Sequence, residues 1–465
     1  MADRPARYPF AVEPARYRFV MPALPPDASF LPDRSRRRAA NRRRVAAVGS
    51  AAVLASGAAT VVVGSAGIAS ADGFSVTTCA DSGVGSLRAA VAGANAHDGA
   101  DTITITVTCS GPGAVAVASP LEVTGANAAD SLVIVGPGAS DFVLDGGDGT
   151  RILHVDSPAD FSLSGVTLQH ADRGCTPDCN GGAAFIKALG DVVLDGVVFA
   201  DNTVAGSAGA AMVMYSETLT ISDSTFARND TPFNAGALYI YDTGPVTISS
   251  STFEGNSAGR DGGVITTYDQ AHDVRIVNCT ITGNTATGDG GAFHLHMYSA
   301  TFSTVFSTVA DNAAGGAGGG LFQADPALAL TMVGSIFAGN TAGTAGTDEI
   351  SAAAGVVVEH DNLFQGSVVG FTPDASDLTG VDPQLDPLSD NGGPTQTRAL
   401  RAGSPAIDAG PTSFPPFTGD TADQRGAPYV RAYGGRSDMG AFEVQPDPTP
   451  AGPGPAPEPE PTFTG

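Results

Sequence analysis

The middle of the chain repeats one short phrase at an almost constant interval. The phrase is an apolar residue, two variable residues and an asparagine, and successive asparagines lie 27, 27, 28, 28 and 28 residues apart. The six asparagines are Asn202, Asn229, Asn256, Asn284, Asn312 and Asn340. A period of this length is typical of a solenoid, in which each repeat buries its apolar face against its neighbours.

Within a repeat, apolar and polar residues alternate over short stretches, which predicts strands rather than helices. Counted from the apolar residue of the phrase, positions −7, −5, −2 and 0 form ladders of apolar or small residues that we expect to face inward. A glycine-rich phrase predicts one turn. The asparagine predicts another, because asparagine tolerates left-handed backbone and stacked amides can bond one another. Three short strands and three turns per repeat predict an all-β fold, a parallel β-helix of roughly nine coils of 27–28 residues.

Both ends of a β-helix need a cap, because an open end exposes strand edges and an apolar cross-section. Near the N-terminus an amphipathic helix with Ser86 as its N-cap is predicted to cover the first coil. Its apolar face consists of Leu87, Ala90, Val91 and Ala94. Residues 382–443 lose the repeat and become rich in Asp, Gly and Pro, so we expect an irregular C-terminal cap there.

The first 71 residues resemble an export signal. The arginine-rich run from Arg34 to Arg44 precedes an Ala/Val/Gly stretch that closes on Ala69-Ser70-Ala71, an A-x-A cleavage pattern. An uncleaved membrane anchor is the alternative, since the stretch is long enough to span a bilayer. Residues 72–465 carry 12 basic and 44 acidic side chains, a formal charge of −32 that repels nucleic acid and anionic lipid. We therefore expect a secreted or cell-surface protein with no membrane span after cleavage of the signal.

Five cysteines follow the export segment, in a compartment that permits disulfides. Four paired cysteines and one free cysteine allow 15 patterns. The repeat narrows them: Cys279 occupies an inward ladder, and Cys175 and Cys179 bracket Thr-Pro-Asp in an insertion that they would close. By elimination, Cys79 then pairs with Cys109.

The C-terminal region carries the most specific wording of the chain. It reads Asp382-Pro-Gln-Leu385, Asn391-Gly-Gly-Pro-Thr395, Gly403-Ser-Pro-Ala-Ile-Asp408-Ala-Gly410, Asp423-Gln-Arg-Gly426 and Asp438-Met-Gly-Ala-Phe-Glu443. This wording resembles the choice-of-anchor Q domain of secreted bacterial right-handed parallel β-helix proteins. The stretch from Asp81 to Arg88 resembles the opening of the same proteins, and the central repeats resemble those of polymorphic outer membrane adhesins.

The resemblance covers residues 76–444 and implies a right-handed parallel β-helix that is secreted or displayed at the cell surface. The chain departs from it after Glu443, where a Pro/Glu-rich tail carries neither an apolar helix nor a full sortase-type motif. Release to the medium and non-covalent retention therefore both stay open. The predicted organisation is an export segment at 1–71, an N-terminal cap with the first strands at 72–127, β-helix repeats at 128–375, a C-terminal cap at 376–444 and a disordered tail at 445–465.

One strand of each repeat is predicted to carry an outward strip of aromatic residues. Alternation after the glycine phrase places Tyr215, Tyr241, Tyr268 and His296 at one outward position, with Tyr239 and His294 at the outward position beside it. Asp242 and Asp269 follow two of the tyrosines. Such a strip can hold a glycan, although aromatic side chains also stabilise neighbouring strands by themselves. His294 and His296 lack an assigned third ligand, so no metal is predicted.

An adhesive or structural protein that binds extracellular glycans is the leading functional prediction. The alternative is a polysaccharide lyase or glycoside hydrolase, which needs paired carboxylates at about 5–10 Å or a basic residue beside a cation. Asp242 and Asp269 meet the spacing alone, so we predict no catalytic residues and no cofactor. The charged residues of the C-terminal region are interpreted as a hydrogen-bonded structural network rather than a catalytic cluster. They are Asp408, Asp423, Arg425, Asp438 and Glu443.

Overall fold

The computed structural model describes residues 72–173, 181–204, 209–270, 272–297, 300–353, 355, 357–412 and 421–446. In these residues the chain forms about ten coils whose strands pair in parallel with the equivalent strands of the next coil. A complete coil contributes four strands, one to each of four sheets, where three were predicted. The fourth strand is two residues long, which is too short to show an alternating pattern in the sequence.

We number the sheets in the order in which a coil visits them. Sheet 1 has ten strands: Leu121–Val123, Leu153–Ser157, Ala184–Ala188, Ala211–Met214, Leu238–Tyr241, Ile265–Gln270, Phe293–Met297, Leu321–Gln323, Ile350–Ala352 and Val368–Val369. Sheet 2 has eleven: Gly73–Val76, Asp101–Ile105, Leu132–Val135, Phe161–Ser164, Val192–Asp195, Leu219–Ser222, Val246–Ser249, Val274–Val277, Thr301–Val305, Ala329–Val333 and Val357–His360.

Sheet 3 also has eleven strands: Val115–Ala116, Val143–Asp145, Thr167–Gln169, Val198–Ala200, Thr225–Ala227, Thr252–Glu254, Thr280–Thr282, Thr308–Ala310, Ile336–Ala338, Leu363–Phe364 and Leu378–Thr379. Sheet 4 has seven: Asp172–Arg173, Thr203–Val204, Asp230–Thr231, Ser257–Ala258, Thr285–Ala286, Ala313–Ala314 and Thr341–Ala342.

The predicted inward ladders form the core of the solenoid. Phe199, Phe226 and Phe253 are fully buried, and their rings stack at centroid distances of 4.8 and 5.0 Å. The small residues at position −2 are also buried. Within the glycine phrase, a Cβ on Gly263 would lie 2.1 Å from the carbonyl oxygen of Gly291, so the close approach of successive coils requires glycine there.

The asparagine ladder runs through the core rather than along the surface. All six asparagines are buried, and the side-chain amide nitrogen of each of the first five donates to the side-chain oxygen of the next asparagine at 2.8–2.9 Å. The left-handed backbone lies one residue earlier, for example at Asp201 (φ 54°) and Arg228 (φ 52°). The prediction of bonded amides is therefore confirmed, whereas left-handed backbone is not the reason for asparagine at this position.

The N-terminal end has the predicted helix, which spans Leu87–Asn95 and buries its four predicted apolar residues. The Ser86 side chain accepts a hydrogen bond from the Ala89 amide. Cys79 and Cys109 form the predicted disulfide, and the Cys279 thiol is free and buried. Cys175 and Cys179 lie outside the described residues, as do the predicted export segment and the predicted tail beyond residue 446. None of the helices in the described part of the chain has the length and apolar character needed to cross a membrane.

The C-terminal segment (residues 382–412 and 421–446) lies along the side of the solenoid, whereas the sequence predicted a cap over its end. The segment is irregular, with isolated antiparallel bridges such as that between Leu385 and Leu400. It follows sheet 3 because that flank offers it partners over five successive coils. Thr252 donates to the Gln396 carbonyl, the Thr308 hydroxyl accepts from the Ala441 amide, and Ile336 and Leu363 pack against Leu400, Ala406 and Met439.

Candidate functional site

The outer face of sheet 1 carries the predicted aromatic residues. In the strand Leu238–Tyr241 the burial alternates, with Leu238 and Ile240 fully buried and Tyr239 and Tyr241 half-buried. The strand Phe293–Met297 repeats this pattern, with His294 and His296 half-buried on the outer side. Alternation along parallel strands thus brings these side chains onto one face.

Tyr215, Tyr241, Tyr268 and His296 form a continuous row of rings, which we call the aromatic row. The Tyr215 ring meets Tyr241 edge-on, with centroids 5.7 Å apart and planes at 81°. Tyr268 stacks on Tyr241 at 6.0 Å and on His296 at 4.9 Å, with planes within 10° in both pairs. All four residues are half-buried, so each ring keeps an exposed part.

The strand position of Tyr215 differs from the prediction. Met214, rather than Tyr215, pairs in register with Tyr241, and Tyr215 follows the strand in a left-handed conformation (φ 59°). Its ring still reaches the row from this position. Val213 is accordingly fully buried, whereas regular alternation with an outward Tyr215 would place it outside.

The spacing from the buried asparagine contained the correct register of this strand. Gly209 lies seven residues after Asn202, as Gly236 lies seven after Asn229. This interval aligns Gly209 with Gly236, and the strand then begins at Ala211.

Stacking limits what the aromatic row can offer to a ligand. One face of the Tyr268 ring is turned toward Tyr241 and the other toward His296. A sugar ring therefore meets edges and polar atoms at the middle of the row rather than open aromatic faces. The aromatic row therefore presents ring edges and phenol oxygens to a ligand, which favours hydrogen bonding and edge contacts over face stacking.

Of the two predicted carboxylate residues, the structure describes Asp242 fully and Asp269 only by its backbone. Asp242 is half-buried and left-handed (φ 41°), and its backbone amide donates to the Tyr268 carbonyl at 3.3 Å. Asp269 belongs to the strand Ile265–Gln270, whose register with the next strand slips between Thr267 and Gln270. The side chain of Asp269 lies outside the described structure, so the carboxylate pair stays a prediction.

A second column of residues runs beside the aromatic row. Tyr239 pairs in register with Thr266, and Thr266 with His294. The His294 ring stacks on Phe322 at 5.4 Å. Burial lowers the pKa of His294, an effect that the nearby Asp261 and Asp289 oppose.

Metal binding finds no further support on this face. In the described part of the chain, no three His, Cys, Asp or Glu side chains gather closely enough to hold an ion.

The sequence prediction of the site left out three residues of this face, namely Phe185, Phe322 and His154. These three extend the second column in both directions. The alternation Leu153-His154-Val155 was the available signal for His154.

The charged residues of the C-terminal segment form the predicted structural network. Arg425 pairs with Asp423 at 2.6 Å, both side chains being buried, and its guanidinium lies between the rings of Tyr429 and Phe442 at 3.8 and 3.9 Å. Glu443 accepts backbone hydrogen bonds from Tyr433 and Asp438. Asp408 is exposed, and its backbone amide donates to Asp438.

Burial raises the pKa of Glu443 to about 8 and also raises the pKa of Asp438. A shallow recess of about 400 Å³ lies beside Arg425 and Tyr429. Most hydrogen-bond partners of these side chains are backbone groups, as is typical of a structural network.

Comparison with known proteins agrees with the architecture. No curated protein matches the chain. Residues 152–343 match the family model described as the right handed beta helix region. This range includes all eight predicted ligand-binding residues, from Tyr215 to His296, and supplies the hand of the coil that the resemblance implied. The fold of this chain is a right-handed parallel β-helix.

Proposed function

We propose that the chain is a secreted or cell-surface adhesive β-helix that binds an extracellular glycan along the aromatic row. The observation that carries the proposal is the unbroken contact of four half-buried rings across successive coils. Aromatic residues at a polar, partly exposed surface are typical of binding sites, because they combine apolar area with hydrogen-bonding atoms. The resemblance to choice-of-anchor Q proteins supports the export and display of the chain.

The scaffold suits recognition without rearrangement. Every strand of the row pairs on both sides, and each ring is held by its neighbours, so little side-chain freedom is lost when a ligand binds. Glycan hydroxyls would bond the tyrosine oxygens and the Asp242 carboxylate, while C–H groups of the sugar contact the ring edges.

A glycan array with purified residues 72–446 tests the proposal directly. We expect binding to at least one extracellular polysaccharide and no reducing ends released from it during prolonged incubation. Release of reducing ends would favour a lyase or hydrolase instead. A protein that binds no glycan on the array would contradict the proposal.

A pair of double variants separates ligand binding from a purely structural ladder. Tyr241→Phe/Tyr268→Phe keeps the stacked rings and removes two phenol oxygens, and Tyr241→Ala/Tyr268→Ala removes the rings as well. We expect both variants to lose glycan affinity, by about tenfold or more, because a hydrogen bond from a tyrosine is worth roughly 1 kcal/mol. The Phe variant should melt like the parent. If it also binds like the parent, the row stabilises the sheet and does not bind sugar through its hydroxyls.

A further inference from the structure

The second column on sheet 1 extends well beyond the aromatic row. Seven residues follow one another in unbroken register, each on a different strand. They are His154, Phe185, Met212, Tyr239, Thr266, His294 and Phe322. Seven strands at about 4.8 Å give a column roughly 29 Å long. We call this column together with the aromatic row the aromatic face.

Both ends of the column carry rings in contact. The His154 ring lies 5.5 Å from Phe185 at the N-terminal end, and His294 stacks on Phe322 at the other. These four residues are half-buried, like those of the aromatic row, whereas Thr266 in the middle of the column is buried. Aromatic contacts are therefore available from one end of the face to the other, with the row of tyrosines beside its middle.

The basic side chain of Lys187, at the N-terminal end of the face, already has a carboxylate partner. Lys187 pairs with Asp156 at 3.0 Å, and His154 pairs with Glu122 at 2.5 Å. Residues 72–465 as a whole carry a formal charge of −32. A polyanion would be repelled by this molecule and would find no excess of cations on these pairs. An uncharged ligand avoids that repulsion.

We infer that the aromatic face binds one long, linear, uncharged glycan chain laid along the axis of the solenoid. This inference rests on the proposed function and names its ligand class. The columns run across the strands and hence along the axis, so a chain in contact with both ends follows that direction. A disaccharide or trisaccharide covers part of the face, and each added sugar reaches a further strand until the face is filled.

Binding as a function of chain length tests the inference. The probes are size-fractionated oligomers, from disaccharide to decasaccharide, of neutral glucans, mannans and xylans, with polygalacturonate oligomers of equal length for comparison. We expect affinity for a neutral series to rise with length and then level off. Each additional aromatic contact should contribute about a two- to tenfold increase. Uronate oligomers should bind more weakly at every length.

Phe185→Ala tests the end of the face, and Val193→Ala, on sheet 2 of the same coil, serves as its control. Phe185→Ala should lower affinity for the decasaccharide about two- to tenfold and leave affinity for the trisaccharide unchanged. Val193→Ala should change neither. The centroid of the Phe185 ring lies 5.4 Å from the guanidinium carbon of the buried Arg151, so Phe185→Ala removes a contact of a buried side chain. Phe185→Leu removes the ring but keeps an apolar side chain there, and it is measured in parallel to separate loss of the ring from loss of folding.

The outcomes separate this inference from the proposed function. Glycan binding that is independent of length, that prefers uronates, or that is unaffected by both Phe185 variants overturns the inference and leaves the proposed function standing. Failure of all glycans to bind overturns both. Rising affinity that levels off, together with a loss specific to long oligomers in the Phe185 variants, supports the long uncharged chain.

Discussion

At the scale of single residues, the buried asparagines show how a polar side chain can be repeated through a core. The amides point in one direction, so each nitrogen bonds the next oxygen and one end of the ladder needs an acceptor. Glu349 supplies it by accepting from the Asn340 amide nitrogen, while its other oxygen accepts from the Gly366 backbone. The ladder is satisfied at both ends, because Asn202 accepts from the Ala171 amide.

Asn256→Ala should destabilise the protein by about 2–4 kcal/mol. The change leaves the Asn229 amide nitrogen and the Phe226 carbonyl without their buried partners, and each such loss costs about 1–3 kcal/mol. Urea denaturation measures the effect. Asn127→Ala, in an exposed turn, is the control and should cost about 1 kcal/mol or less. Equal midpoints for the two variants would contradict the structural role of the ladder.

Glu349→Gln should flatten the dependence of stability on pH. Burial raises the pKa of Glu349 from its usual 4.5 to about 7, so the folded protein holds a proton that the unfolded chain releases. The stabilisation is complete below pH 4.5 and is lost as pH rises through about 7. Over this window the parent should lose up to roughly 3 kcal/mol relative to the variant. The unfolding free energy of both proteins at pH 4.5, 6 and 8 measures the difference; parallel curves would refute the assignment.

At the scale of elements, the C-terminal segment is fastened to the solenoid by polar groups that reach into its flank. Gln424 is fully buried and bonds the side chains of Thr252 and Thr280. Arg431 is also buried, lies 4.6 Å over the Phe306 ring and donates to the Asn278 side chain. Burial lowers the pKa of Arg431, against the effect of nearby carboxylates. The segment is therefore part of the folded unit.

Arg431→Leu should loosen the C-terminal segment while the coils persist. The variant leaves the Asn278 side chain and the carbonyls of Gly440 and Ala441 without a donor, at a cost of about 2–4 kcal/mol. Because neighbouring coils hold one another, hydrogen exchange should rise in residues 382–446 more than in the sheets.

Arg401→Leu provides the matched control for Arg431→Leu. Arg401 pairs with Asp386 at the surface, where an ion pair contributes about 1 kcal/mol or less. Its variant should keep the exchange pattern of the parent. Uniform loss of protection along the whole chain in Arg431→Leu would show that the segment and the coils unfold as one unit.

At the scale of the whole molecule, stability depends on the stack of equivalent layers. Phe253→Asp places a carboxylate in the centre of the core, where Phe226 stacks on one side and Ile281 pairs on the other. An unpaired buried charge costs several kcal/mol, and the damage passes to adjacent coils. We expect a large fall in melting temperature or failure to fold. Glu254→Ala, at the next residue of the same strand, should melt close to the parent.

The sequence by itself determined the solenoid, its period, its inward ladders and the helix at its N-terminal end. These features repeat or are local, so spacing alone reports them. The sequence also placed Tyr241, Tyr268 and His296 on one face, because each occupies the fourth position of its strand and side chains alternate along a strand.

The tertiary structure decided what does not repeat. The side position of the C-terminal segment depends on bonds between residues more than a hundred positions apart, such as that from Thr280 to Gln424, and no periodicity encodes such bonds. The stacking that turns the faces of Tyr268 toward its neighbours depends on side-chain angles, which periodicity does not encode either. Repetition along the chain specifies a coil, whereas contacts between distant, unrepeated residues specify what covers the coil and which surface stays open.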